Sequence, residues 1–404
     1  MDDDQLAGRV ERIYLNLGFV FGFVMMCFAV AATVAWVTEA GLSPTRLIIM
    51  GSVLEATALL FEVPTGVVAD RHSRKWSTVI GYVLVGLGVL TSLSTTYWIL
   101  LVGQFIWGLG FTFQSGAVTA WATDQLGRDI DELIVEQARR RSLGFVVGIV
   151  VGTAIGSINL FWAIGLAGLV AIGTAALLAF VMPEPVKPAG ADQPESALQT
   201  ARNGWNVVRP YPMVRLVMLV ALLGGAGSEV LDRLYTKRLI DIGVPFADPV
   251  VIIGALLLFA QLGSWWVLGR VVNRLGGREI GAGAIGAAYA TTALASFALA
   301  LGPVFAIAAA GQFVSRISRA TIEPIESVVV NRRARSQERA TILSFHGQAD
   351  ALGQALGGPT MALVAWVSTT STAMAAGASL YAVAAAIALT RKTGKGDDPA
   401  AASG

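Results

Sequence analysis

An all-α membrane protein of twelve transmembrane helices, arranged as two pseudo-symmetric six-helix bundles, is the fold the sequence predicts, and three observations predict it. Of 404 residues, 55% are hydrophobic and 14% charged, at a mean hydropathy of +0.66. A soluble fold would lack the polar surface to cover itself. Twelve stretches are apolar over about 20 residues, the length that crosses a hydrocarbon core about 30 Å thick. Finally, three short phrases recur in the same order in the two halves of the chain.

Each stretch must be helical, because lipid offers the backbone no other hydrogen-bond partners. The opening MDDDQLAGRVER is acidic where a secretory signal is basic, and the run after it is too long for a signal core, so it reads as a first span. The spans of the first half are predicted at 13–37, 46–69, 76–94, 97–123, 140–159 and 162–182. Those of the second half are predicted at 214–238, 250–271, 280–300, 303–325, 340–366 and 371–390. Between them, 183–212 is polar and Pro-rich, a linker with room for one short surface helix. The chain thus divides into a bundle at 1–182, the linker, a bundle at 213–390 and a polar tail at 391–404.

Lys and Arg orient the spans. Arg9 and Arg12, the loop Arg71, Arg74 and Lys75, and the run Arg139 to Arg141 share one side with Arg270, Arg274, Arg332, Arg333 and Arg391. The turns near 96, 160 and 370 carry neither Lys nor Arg. The basic side is expected to be cytoplasmic, with both termini there, in a bacterial inner membrane. A formal net charge of +2, with its bases sorted by membrane side, argues against nucleic acid. One cysteine, Cys27, excludes an internal disulfide and a multi-cysteine metal site, and no cofactor is expected. Two histidines, His72 and His346, without HExxH or GxSxG, make a membrane enzyme a distant alternative.

The recurring phrases are specific. GVVADRHSRK at 66–75 is echoed by GRVVNRLGGR at 269–278, so Gly66, Asp70 and Arg71 match Gly269, Asn273 and Arg274. GQF occurs at 103–105 and 311–313, and EQARRRS at 136–142 faces ERATILS at 338–344. Their offsets of 203, 208 and 202 residues support a duplicated six-span unit.

GVVADRHSRK resembles the loop signature of the major facilitator superfamily, and the likeness extends over essentially the whole chain. FEVPTGVVADR and WGLGFTFQSGAVTAW are similar, more loosely, to the branch of bacterial drug and metabolite exporters. The resemblance implies alternating access, with the loop residues Gly66, Asp70, Arg71, Arg74 and Lys75 and their echoes Gly269, Asn273 and Arg274 acting as a conformational latch. The alternative is that the bases only set topology. Physically, Gly66 would allow close helix approach and Asp70 would pair with a base or helix end. Two departures qualify the resemblance: Gln104 stands where many proton-coupled members carry Arg, and no Pro follows Gly152 in the stripe Gly144, Gly148, Gly152 and Gly156. That stripe reads first as close helix packing.

Ionisable groups inside spans are functional candidates by default. Candidate proton carriers are Glu55 and Glu62 on the second span and His346 and Asp350, four residues apart, on the eleventh. Each has a bland alternative as a satisfied polar contact. Candidate cavity or gate residues are Gln104, Gln114, Glu229, Asp232, Arg233, Arg316 and Gln312. Glu229 and Arg233 are spaced to neutralise each other, and Arg319 is spaced to pair with Glu323, which leaves Arg316 for an anionic group. The function expected is proton-coupled export of a small amphipathic organic compound by a monomer in the bilayer, with uptake or exchange of a metabolite as the alternative.

Overall fold

The computed structural model describes residues 3–184, 204–245, 248–275, 281–335 and 338–391, without the side chains of residues 3, 272–275 and 340. Among the described residues are thirteen helices of ten residues or more, and no strand. They are α1 (Asp3–Thr38), α2 (Pro44–Arg71), α3 (Arg74–Leu90), α4 (Tyr97–Gln114), α5 (Ala117–Leu126), α6 (Asp131–Gly156) and α7 (Leu160–Val181). After the linker come α8 (Pro212–Ile242), α9 (Pro249–Leu275), α10 (Ala282–Leu301), α11 (Phe305–Arg333), α12 (Arg339–Val367) and α13 (Thr370–Thr390).

Every predicted span falls on one of these helices, except the fourth, which falls on two. Between α4 and α5 the chain turns at Gly116, whose φ of +72° a Cβ would oppose. Other boundaries follow from caps. The Ser73 side chain accepts from the Trp76 N–H, Asn159 accepts from the N–H groups of Phe161 and Trp162, and Thr369 accepts from that of Thr372. The fifth span is longer than expected: α6 starts at Asp131, because its charged first turns are helical although too polar for lipid.

By length and composition, nine helical segments among the described residues are apolar enough to cross a membrane, with α4 and α5 counted as one. The three long helices outside that set are α6, α11 and α12. Charged first turns explain α6, whereas α11 and α12 carry their ionisable groups in mid-helix. Those two helices build the site described below.

The chain divides into two compact units. Unit 1 comprises Met1–Leu42, Val53–Pro194 and Ala247–Leu258, and unit 2 comprises Ser43–Ser52, Glu195–Phe246 and Phe259–Gly404. Within unit 1, α6 lies against α1 through its glycine stripe. A Cβ on Gly144, Gly148 or Gly152 would stand 2.1, 2.5 or 2.8 Å from the backbone of Phe19, Phe23 or Cys27. Unit 2 repeats this between α12 and α8: a Cβ on Gly353 or Gly357 would stand 2.1 or 2.5 Å from the backbone of Leu222 or Ala226. At Gly144, Gly148 and Gly152 the stripe is therefore a backbone contact, as its spacing predicts; at Gly156 a Cβ would meet only side chains.

Of the linker, residues 185–203 lie outside the described residues, as do 392–404 of the tail; 204–208 are helical. This turn packs on unit 2, where a Cβ on Gly204 would clash with the Phe345 ring and where Val208 is buried. The Tyr211 hydroxyl donates to the Glu338 carboxylate. Burial first, and the carboxylate second, push the Tyr211 phenol above its ordinary pKa.

Candidate functional site

At the basic end of unit 1, Asp70 closes α2 and Arg74 opens α3. The Arg74 guanidinium donates to Asp70 Oδ1 at 3.2 and 3.1 Å, to the Ala120 carbonyl at 3.0 Å and to Asp124. It thus ties the α2–α3 loop to α5. Asp124 is a partner the loop signature does not contain. Arg71 is exposed, and Lys75 lies 5.5 Å from the centre of the Trp76 ring. A Cβ on Gly66 would have no atom within 4 Å among the described residues, and the same holds for Gly269. Asn273 and Arg274 fall in the last turns of α9, and their side chains lie outside the described residues.

The polar residues in the spans of unit 1 are sparse. Glu55 is half-buried on α2. Glu62 is exposed and accepts from Ser115 Oγ at 3.4 Å. Gln104 is fully enclosed, and neither amide atom has a hydrogen-bond partner among the described residues. The helix is drawn in tightly at that level: a Cβ on Gly103 would clash with Thr91 and one on Gly108 with the Leu54 carbonyl. Gln114 is also buried, with its Nε2 unpartnered among the described residues.

Unit 2 is built differently. Glu326 of α11 is 2% exposed; its Oε1 accepts from the Tyr289 hydroxyl of α10 at 2.9 Å, and its Oε2 lies 2.7 Å from His346 Nε2 of α12. Three helices thus meet on one carboxylate. Asp350, one turn beyond His346, accepts from Gln354 at 2.7 Å. Its backbone and Oδ1 press on α8 at Gly225, where a Cβ would stand 2.2 and 2.9 Å away.

A second cluster joins α8 to α11. Arg319 donates to both oxygens of Asp232, at 2.8 and 2.6 Å, and Arg316 Nη1 lies 4.0 Å from Asp232 Oδ1. Glu229, 2% exposed, accepts from Arg233 Nε at 2.9 Å, the pairing its four-residue spacing predicts. Gln312 is buried on α11. Nearby hydroxyl pairs, Thr292 with Ser318 at 2.9 Å and Ser296 with Ser315 at 3.0 Å, fasten α10 to α11.

Two pairings expected from spacing within one helix are replaced by pairings between helices. His346 turns to Glu326 rather than to Asp350, and Arg319 turns to Asp232 rather than to Glu323. In each case the carboxylate is on another, packed helix: Glu326 is buried where Asp350 is half-buried, and Asp232 takes the place of the exposed Glu323. Tyr289 and Glu326 are the residues sequence reasoning missed as a site. A carboxylate one residue beyond the predicted tenth span gave a weak signal for Glu326; an aromatic residue in an Ala-rich span gave none for Tyr289.

A helical membrane carrier, with buried ionisable groups fastened across its helices, is the class these features define. The chain belongs to the Major Facilitator Superfamily, whose profile matches residues 15–292. Among solved structures, the nucleoside transporter NupG superposes with a TM-score of 0.76 at 16% identity, over 97% of this chain and 100% of that one. A POT family transporter in complex with a thioalcohol-conjugated peptide gives 0.72 at 14% identity, over 94% of each chain. A bacterial homologue of the human lysosomal transporter Spinster, in an inward-facing and unoccupied conformation, gives 0.69 at 15%, over 96% of each. At these identities the likeness is one of fold. No curated protein matches the sequence.

Proposed function

We propose that this chain is a proton-coupled secondary transporter of a small amphipathic organic compound, working by alternating access as a monomer in the bacterial inner membrane. The observation that carries the reading is the Tyr289–Glu326–His346 chain, buried where three spanning helices meet. An ionisable group costs several kcal/mol inside a bilayer unless it is paired, so such groups mark ion pathways. A carboxylate 2.7 Å from an imidazole can hold one proton between them, and imidazole is the side chain whose titration falls near neutral pH. Loading the pair with a second proton, or removing the shared one, changes its charge and its hold on α10, α11 and α12 together.

Asp350, in the next turn of α12, and Glu55, half-buried on α2, are secondary carriers in this scheme. The Arg74 contacts support a latch at the basic end, which faces the cytoplasm in this reading. The outward direction of transport rests on the resemblance of FEVPTGVVADR to the exporter branch.

The test is reconstitution in liposomes with an imposed pH gradient, screened over cationic, zwitterionic and anionic compounds. The wild type should accumulate at least one compound against its gradient. E326Q should let that compound equilibrate but not accumulate. Undiminished accumulation by E326Q would overturn the assignment of the proton carrier, and accumulation that ignores the pH gradient would overturn proton coupling.

A further inference from the structure

We propose that Arg316 is the docking point for a carboxylate on the transported compound. The inference rests on the transport reading above and narrows it to a substrate class. Asp232 has two carboxylate oxygens, and Arg319 occupies both, at 2.8 and 2.6 Å, in a bidentate pair. Arg316 stands one turn earlier on the same helix face, and its nearest carboxylate oxygen is that same Oδ1, at 4.0 Å. This distance is inside Coulomb range and outside hydrogen-bond range. Two guanidiniums therefore share one carboxylate, and only Arg319 is hydrogen-bonded to it.

Among the described residues, no other acid in the spans of unit 2 pairs with Arg316. Glu229 is engaged by Arg233 and Glu326 by His346 and Tyr289, while Asp350 accepts from the neutral amide of Gln354. Glu323 makes no ion pair with Arg316 among the described residues. Nor does Arg316 donate a hydrogen bond among the described residues, although a guanidinium carries five N–H donors. Its side chain is 32% exposed, so a solute can reach it, whereas Arg319, at 23%, is already held in place by Asp232. A planar fork with unmatched N–H donors inside a membrane-spanning unit is best satisfied by a planar, bidentate anion.

The test is equilibrium binding to the purified full-length protein in detergent, without any gradient, by titration calorimetry. The probes are two matched pairs, 1-naphthoate with 1-naphthamide and octanoate with octanamide. The wild type should bind the carboxylate of at least one pair about tenfold more tightly than its amide, the scale of one charge-assisted contact. R316Q should remove that preference, and R316K should keep only part of it, because an ammonium has no fork. Equal binding of acid and amide, no saturable binding of either carboxylate, or a preference that survives in R316Q would overturn the proposal. R316Q is read only where its unfolding temperature matches the wild type; otherwise R316K decides, and an undiminished preference in it counts against the proposal. Because no gradient is applied, failure of proton coupling leaves this result standing, and failure here leaves coupling standing.

Discussion

The fourth predicted span and its counterpart in the second half start from the same phrase, GQF, and diverge within two turns. In unit 1 the phrase places Gln104, enclosed and without a hydrogen-bond partner among the described residues, in an aromatic and glycine-rich helix that turns at Gly116. In unit 2 it places Gln312 at the head of a helix that continues unbroken through Pro324, the position 208 residues beyond Gly116. That helix carries Arg316, Arg319 and Glu326, each facing a carboxylate, a tyrosine or an imidazole on another helix. The backbone contacts of the two halves match, α6 on α1 and α12 on α8, through glycines that leave no room for a Cβ. The scaffold is duplicated and the charge is not. The packing geometry could be kept in both copies while the costly ionisable groups were concentrated in one.

If the two glycine contacts are equivalent, G144V and G353V should fail alike. Each adds a side chain where a Cβ alone would stand 2.1 Å from neighbouring backbone, which cannot move aside as a side chain could. The expected loss, above about 4 kcal/mol, belongs to the overpacking extreme of single substitutions. The measurement is the yield of folded, monodisperse protein. A well-folded G353V beside a misfolded G144V would break the equivalence.

The charge contrast is sharpened by the next variant. E326A strands the His346 imidazole and the Tyr289 hydroxyl in an enclosed site and should lower unfolding stability by about 3 kcal/mol. Chemical denaturation in detergent reads this directly, and an E326A protein as stable as the wild type would mean that the three-helix contact is not formed. The smallest effect should have the opposite sign. Q104L replaces an enclosed, unpartnered amide with an apolar group of similar size, so it should raise stability by up to about 1–3 kcal/mol. Destabilisation by Q104L would show that the amide holds water or another group, and that unit 1 carries a polar site after all.

The helices and the duplication were legible in the sequence because each depends on short-range patterns. Length and hydropathy set a span, a capping side chain or a positive-φ glycine sets its end, and a four-residue glycine period announces close packing wherever its partner lies. The i, i+4 pair of Glu229 and Arg233 was legible for the same reason. Membership of the family followed from GVVADRHSRK, a continuous motif. Arg74 belongs to that motif, yet its contact with Asp124, fifty residues away, does not.

Tertiary structure alone decided which ionisable groups meet. Spacing on one helix suggested His346 with Asp350 and Arg319 with Glu323, whereas the fold supplied Glu326 and Asp232. It also enclosed Gln104 and left no atom among the described residues within 4 Å of a Cβ on Gly66. The sequence determined the order and helical character of the segments, since hydrogen bonding within a helix and transfer into lipid are properties of single segments. The partners of a buried charge depend on which faces of α8, α10, α11 and α12 are packed together, and that rotation is set by the sum of side-chain and backbone contacts along every helix, not by any one of them.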